Sequence, residues 1–324
     1  MAKIIGIGNA LVDVLVHLDD EKLLKELQLP KGGMTLIGAD ELMRIRRLTE
    51  GLNSTCATGG SASNTIHALA ALGNATGFVG SVGADEMGDF YRSAMLARGT
   101  EAMLQQSEGL HTGIATTFIT PDGERTFATY LGAAAQIEAG NLKSLIAQST
   151  ETEVLHVEGY LVQDHDLIVD VLKTAHEAGL TVSYDLASWN IVEADRDFIT
   201  ALVRDYVDIV FANEEEAAAF SRQGDPEVAL GLLAASVDTA IVKVGAHGAL
   251  AMRGTERASV PGLKRTVVDT TAAGDFFAAG FLHGRVNGDS LERCLDCGNR
   301  LASEVIQVYG TEISDERLRQ AIAR

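Results

Sequence analysis

Short runs of β-branched and apolar residues recur along the chain. Each is followed by a longer stretch whose apolar positions fall three and four residues apart. The runs at Ile4–Gly8, Thr76–Val82, Glu153–Val157, Thr181–Tyr184, Ile209–Ala212 and Thr239–Val244, with one ending at Val268, predict strands. Helical spacing predicts helices over Ala62–Leu72, Asp85–Arg98, Asp166–Ala178, Phe198–Arg204, Glu214–Ser221, Glu227–Ser236, Asp275–Asn287 and Leu291–Tyr309. Such alternation predicts an α/β fold, a mostly parallel central sheet flanked by helices on both faces. Ligands of such sheets lie beyond the carboxyl ends of the strands. Residues that follow strands therefore gain weight as candidates: Asn9, Asn213, Gly245 and Asp269.

Two segments break the alternation. Leu11–Leu18 with Met34–Ile37, and Gly113–Thr120 with Arg125–Tyr130, read as short strands, the last two flanking the turn sequence P-D-G at Pro121–Gly123. A small β sheet built from segments 11–50 and 111–137 would sit apart from the main one and close over a site as a lid, excluding water. No linker or repeat marks a second independent domain.

Chemistry concentrates in two stretches. From Val267 to Gly284 the chain reads V-V-D-T-T-A-A-G-D-F-F-A-A-G-F-L-H-G. Ala272, Ala273 and Gly274 fall in the first turn of the predicted helix. Amide groups there lack intrahelical acceptors and the dipole is positive, so phosphoryl oxygens can approach a bare backbone. A carboxylate beside that pocket, Asp275, repels phosphate, but it suits a group that takes the proton from an attacking hydroxyl. An ordinary helix start would also favour an acid there. From Thr58 to Gly73 the chain reads T-G-G-S-A-S-N-T-I-H-A-L-A-A-L-G. Gly59 and Gly60 bring bare backbone against a ligand, and Asn64 offers both a donor and an acceptor to a polyhydroxylated one.

These two stretches resemble the paired signatures of the ribokinase-like, or PfkB, carbohydrate and nucleoside kinases. The likeness runs from G-I-G-N-A-L-V-D at Gly6–Asp13 to V-Y-G-T-E-I-S at Val308–Ser314. It implies one ribokinase-like kinase domain over residues 1–324 with a β lid, transferring the γ-phosphate of ATP to a primary hydroxyl with Mg2+. It further implies Asp275 as the proton acceptor and Ala272, Ala273 and Gly274 as the anion hole. Asp13 is either a solvated strand residue or, as the resemblance favours, an acceptor for two vicinal hydroxyls, acting with Asn9, Gly59, Gly60 and Asn64. N-E-E-E at Asn213–Glu216 is an acidic first helical turn. Its match to the family's N-x-x-E implies that Asn213 and Glu216 organise magnesium-bound water. In K-V-G-A-H-G, Gly245 and Gly248 have the spacing of a nucleotide loop, and Lys243 is its cation or simply the solvent side of a strand. By the same resemblance Asn299 lines the adenine pocket, and Asp269 and Thr271 fall where relatives bind a monovalent cation, K+.

The acceptor is read two ways. Ala272 resembles the sugar kinases. K-G-G-M-T-L-I at Lys31–Ile37, L-G-A-A-A-Q-I at Leu131–Ile137 and E-G-Y-L at Glu158–Leu161 resemble the adenosine-kinase branch, with Met34, Leu36 and Tyr160 or Leu161 placed to sandwich a purine or else packed within the lid. The expectation is a nucleoside such as adenosine, the alternative a sugar of ribose, fructose or 2-keto-3-deoxygluconate type. A non-catalytic binding protein is the distant alternative. A dinucleotide fingerprint fails because Leu11 stands where its third glycine belongs, and no Walker G-x-x-x-x-G-K-[ST] occurs.

Composition narrows the field further. A formal charge of −19 argues against nucleic acid and anionic membranes as partners. It also requires that a polyphosphate be held by local dipoles and cations. No apolar run approaches the ~20 residues that span a bilayer, and the expectation is a soluble cytoplasmic protein acting on a small molecule as a monomer or homodimer. Cys56, Cys294 and Cys297 form no disulfide framework, and the Cys294–Cys297 spacing lies in a predicted helix, so these read as structural thiols.

Overall fold

The computed structural model describes residues 3–148 and 152–323. Its strands in chain order are β1 (Lys3–Ile7), β2 (Leu11–His17), β3 (Met34–Leu36), β4 (Ser54–Gly59), β5 (Ala75–Gly83), β6 (Thr100–Ser107) and β7 (Gly113–Ile119). There follow β8 (Arg125–Tyr130), β9 (Thr152–Glu158), β10 (Thr181–Asp185), β11 (Ile209–Asn213), β12 (Thr239–Lys243), β13 (Ala249–Arg253) and β14 (Glu256–Val260).

Period-two alternation along the central strands sorts side chains into two cores. Ile5, Leu155, Val210 and Val242 pack beneath the helices His165–Glu177, Arg196–Tyr206 and Pro226–Ala234. Their neighbours Ile4, Val154, Phe211 and Ile241 pack on the opposite face against Ser61–Ala71, Ala273–Val286 and Leu291–Val305. The nine-stranded sheet runs β14-β13-β12-β11-β10-β9-β1-β5-β6. It is parallel from β12 to β6 and antiparallel only through β13 and β14. The fold is therefore the expected α/β one.

The second sheet is β3-β8-β7-β2-β4. Val16, Phe118 and Ala128 bury one face with Leu24, Leu27 and Ile45, from or beside the helices Lys22–Glu26 and Ala39–Thr49. Register places Asp13, Ala115, Thr129 and Leu36 on the other face. The chain leaves the main sheet after β1, enters the small sheet at β2, and returns through β4 into the Ser61–Ala71 helix.

Four strands went unanticipated: β4, β6, β13 and β14. The run ending at Val268 is not a strand. Residues 261–268 are irregular, Val267 and Val268 are exposed, and the amides of Val268 and Asp269 donate to Ile306 O at 2.8 and 3.2 Å. The β propensity of two valines found no neighbouring strand, and the hairpin β13–β14 closes the sheet instead. The last long helix ends at Val305 rather than Tyr309.

Candidate active site

The junction between the two sheets brings the predicted residues together. Asn9 stands where the chain changes sheets, and its Nδ2 donates to Glu158 Oε1 at 2.6 Å. The other oxygen of Glu158 accepts from the Ala62 amide at 3.2 Å. Gly60 has φ +97°, and a Cβ there would lie 2.1 Å from Asn9 O. One on Gly59 would lie within 2.5 Å of all three Asp13 carboxyl atoms. These two glycines thus let the end of β4 run directly against Asn9 and Asp13.

Asp275 lies in the first turn of the Ala273–Val286 helix. Its Oδ1 accepts from Ser61 Oγ at 2.7 Å and its Oδ2 from Asn64 Nδ2 at 2.9 Å, while Thr65 Oγ1 donates to its carbonyl at 3.1 Å. Two helix starts are thereby locked face to face. Ala272 precedes the helix at φ 60°, a left-handed conformation uncommon for a residue with a side chain. Such strain concentrates where the surroundings impose a backbone geometry, here the one that opens the turn at Ala272–Gly274.

Burial pushes Asp275 up to about 6, against hydrogen bonds from Asn64 and Ser61 that hold it down. Asp13 rises to about 7, first by desolvation and then by the charge of Asp275. Glu158 also rises to about 7 through burial. Lys243, at the end of β12, is the cation set among these acids. Its Nζ lies 3.0 Å from Asp185 Oδ2 and would lie 3.1 Å from a Cβ on Gly274, so it abuts the Ala272–Gly274 turn. Its pKa is raised, because Asp185, Glu216 and Asp275 together outweigh its desolvation.

Asn213 and Glu216 form a capping box. Asn213 Oδ1 accepts from the Glu216 amide at 2.8 Å, and Glu216 Oε2 accepts from the Asn213 amide at 2.7 Å. Burial drives Glu216 up to about 7, with Lys243 opposing. Asn299 Nδ2 donates to the carbonyls of Val260 and Pro261 at 3.2 and 3.3 Å. Gly248, at φ +105°, would clash with Val260 O at 2.0 Å if it bore a Cβ. Both residues therefore brace the exit from β14, whereas Gly245 has only Glu214 Oε2 nearby, at 3.7 Å.

Five predicted residues look different in the structure. The carboxylate of Asp269 accepts from Thr271 N and Oγ1, from Gly310 N, and from Arg125 Nη1 at 2.7 Å. Four donors fill its acceptor positions, and Thr271 Oγ1 also accepts from Arg125 at 3.0 Å. A monovalent cation on this pair would have to displace a guanidinium, so the residues present do not fit K+. Met34 and Leu36 are 57% and 53% exposed, which excludes packing within the lid core. Tyr160 is half-buried, its hydroxyl 3.5 Å from Ala187 O.

Sequence reasoning missed Ser61, Glu158, Asp185 and Arg125. Glu158 and Asp185 end β9 and β10, so the rule applied to Asn9 and Asn213 would have found them. Ser61 and Arg125 depend on tertiary approach and left no signal.

The model of the family described as pfkB family carbohydrate kinase matches residues 34–318. Among solved structures, an adenosine kinase from Sinorhizobium meliloti is 35% identical with a TM-score of 0.85, covering 99% of this chain and 98% of that one. A probable sugar kinase from Rhizobium etli is 34% identical, also with a TM-score of 0.85, covering 99% and 97%. An adenosine kinase from Schizophyllum commune is 28% identical over 96% of both chains.

Proposed function

Because the chain belongs to the pfkB family of carbohydrate kinases, phosphotransferases with an alcohol group as acceptor, we propose that it phosphorylates the 5′-hydroxyl of a nucleoside, adenosine first. The observation that carries the chemistry is Asp275, a carboxylate raised to about 6 and clamped by Ser61 and Asn64 at the mouth of a helix N-terminus. A base with that pKa is ionised near neutrality yet takes a proton more readily than an ordinary carboxylate.

In this mechanism Asp13 and the free acceptor atom of Asn64 hold the ring hydroxyls, and Asn9, fixed by Glu158, borders the same pocket. Gly59 and Gly60 let the sugar lie against backbone. The primary hydroxyl gives its proton to Asp275 Oδ as its oxygen attacks the γ-phosphorus, the bond from that phosphorus to the β–γ bridging oxygen breaks, and ADP leaves. Amides of the Ala272–Gly274 turn and the ammonium of Lys243 stabilise charge on the migrating group. Gly245 leaves room for the nucleotide beside β12, while Asn213, Gly248 and Asn299 shape that side of the cleft. Magnesium, when bound with ATP, neutralises phosphate charge. Glu216 has lone pairs left over from its capping bonds and would hold it through water, as an ion that keeps much of its hydration shell requires. The lid sheet would cover the acceptor, with Met34 and Leu36 offering apolar surface to a base and Tyr160 lining the opposite side.

The purine assignment rests on those exposed lid residues and on the likeness to the Sinorhizobium meliloti adenosine kinase. A sugar acceptor is the second reading, favoured by Ala272 and by the likeness to the Rhizobium etli probable sugar kinase. The test is ATP consumption with adenosine, inosine, guanosine, ribose, fructose and 2-keto-3-deoxygluconate. Adenosine should give the highest kcat/KM. Turnover confined to a sugar would overturn the acceptor while leaving the kinase chemistry intact.

A further inference from the structure

Away from the cleft, a cavity of about 160 Å³ lies between the helices Leu291–Val305 and Asp315–Ile322 and the irregular segment 261–268. Arg265, Arg300, Arg317, Ser303 and Glu304 line it. At about 10–15 Å³ of such space per water, it has room for several waters or for a phosphate group and part of what the phosphate is attached to. Among the described residues, the guanidinium groups of Arg265, Arg300 and Arg317, with that of Arg293 beside the cavity, share the carboxylates of Glu304 and Asp296. The surplus of positive charge stands out on a chain of formal charge −19.

A surface ion-pair network accounts for only part of this. Glu304 is well engaged by Arg317 Nε at 2.7 Å, but Arg265 Nη2 stands off at 3.4 Å, and Arg300 Nη1 reaches the Ala321 carbonyl only at 3.5 Å. Each guanidinium has five N–H donors in a planar fork suited to phosphate, and the protein's own acceptors take a minority of them. We propose that this cavity binds a phosphate-type oxyanion, either inorganic phosphate or the phosphate of a small phosphomonoester, gripped by Arg265, Arg300 and Arg317.

The site also has a mechanical connection. Arg265 lies on the segment that leads into Asp269, and that segment is tied to the helix carrying Arg300 by the bonds of Val268 and Asp269 to Ile306 O. Bridging Arg265 to the two helices pins the segment from its outer side. Anion binding should therefore slow hydrogen exchange at the Val268 and Asp269 amides.

Titration calorimetry with inorganic phosphate on the full chain tests the assignment, because Glu304→Gln and Arg265→Gln pull in opposite directions. Arg265→Gln removes a charged donor from an irregular segment and should weaken this site about tenfold or more and abolish the exchange slowing. Glu304→Gln frees the guanidiniums it occupies and should tighten phosphate several-fold, whereas a purely structural ion-pair network predicts lower stability and no tighter binding. Arg317→Lys, which keeps the charge but loses the fork, should be intermediate. Circular dichroism confirms that each variant is folded. Ribose 5-phosphate identifies the source: equal affinity shows the free ion suffices, and tighter binding marks a phosphomonoester. Phosphate titrations unchanged by Arg265→Gln and Glu304→Gln would overturn the proposal.

Discussion

Glu158→Gln is the most discriminating single perturbation of the acid cluster. Glu158 is 2% exposed, and burial raises it from 4.5 to about 7. A carboxyl with a raised native pKa binds more protons folded than unfolded between those two values. Its contribution to stability is thus complete at low pH and is lost as pH rises through about 7. That rise corresponds to about 3 kcal/mol over the whole window, most of it falling between pH 5 and 8. Glutamine cannot ionise, keeps an oxygen for Asn9 Nδ2, and leaves the Ala62 amide without its acceptor at a cost of about 1–3 kcal/mol. The variant should therefore be less stable than wild type at pH 5 and close to it at pH 8. Urea denaturation of both proteins at the two pH values gives the difference directly. Wild type also loses stability over this range through Asp13, Glu216 and Asp275, so the quantity to compare is the change in slope. Parallel pH profiles would refute the claim that Glu158 is a proton-holding group.

Asp275→Asn should lower kcat by about 10²–10⁴-fold with acceptor affinity largely kept, and the acid limb of the wild-type kcat/KM profile, expected near pH 6, should vanish; stopped-time ATP turnover across pH checks both. Lys243→Gln removes a charge that lowers the Asp275 pKa, so any residual activity should show an acid limb moved upward, and a limb unmoved would separate the two groups. Gly60→Ala places a Cβ 2.1 Å from Asn9 O at φ +97°, which should destabilise the protein by about 2 kcal/mol or more in urea unfolding. Omitting divalent cation should weaken ATP binding by tenfold or more, measured by calorimetry on the Asp275→Asn variant, because the cleft holds more carboxylates than cations.

The fold was legible because parallel strands buried on both faces leave runs such as I-V-F-A, and helices leave three- and four-residue spacing. What escaped was pairing without such a signature. The edge strand β6 carries E-A-M-L-Q-Q, half polar because one side faces solvent, and β4 is threonine-rich and exposed at its start. Asp275, Asn64 and the glycines, which the structure brings together, stood out because they sit in two contiguous stretches rich in small residues. Glu158, Asp185 and Ser61 join the same cluster from separate elements, each an ordinary polar residue in its own neighbourhood. The local error at Val267–Val268 has the same origin: β propensity is a statement about fit to a neighbouring strand, and here the neighbour is a helix end.

The cleft gathers groups that the protein's own charges and hydrogen bonds do not fully satisfy. Asp13, Glu158, Glu216 and Asp275 are all raised, and Asp185 leans on Lys243. The nearby guanidinium of Arg125 is already committed to Asp269. Asn64 Oδ1 and Arg125 Nη2 are buried without hydrogen-bond partners among the described residues, an arrangement that costs free energy in an isolated protein. A polyhydroxylated acceptor would supply donors for Asn64 Oδ1 and Asp13, and an anion beside the lid strand would supply an acceptor for Arg125. The same groups that make the empty site unfavourable therefore add to binding selectivity: a ligand lacking the hydroxyls leaves the buried acceptor unpaired, and the penalty for that exceeds the gain from one more hydrogen bond. On the proposed function, recognition of the sugar would be set by unsatisfied groups fixed in the fold. The choice between base and no base falls to the exposed apolar face of the lid, whose Met34 and Leu36 make no comparable demand.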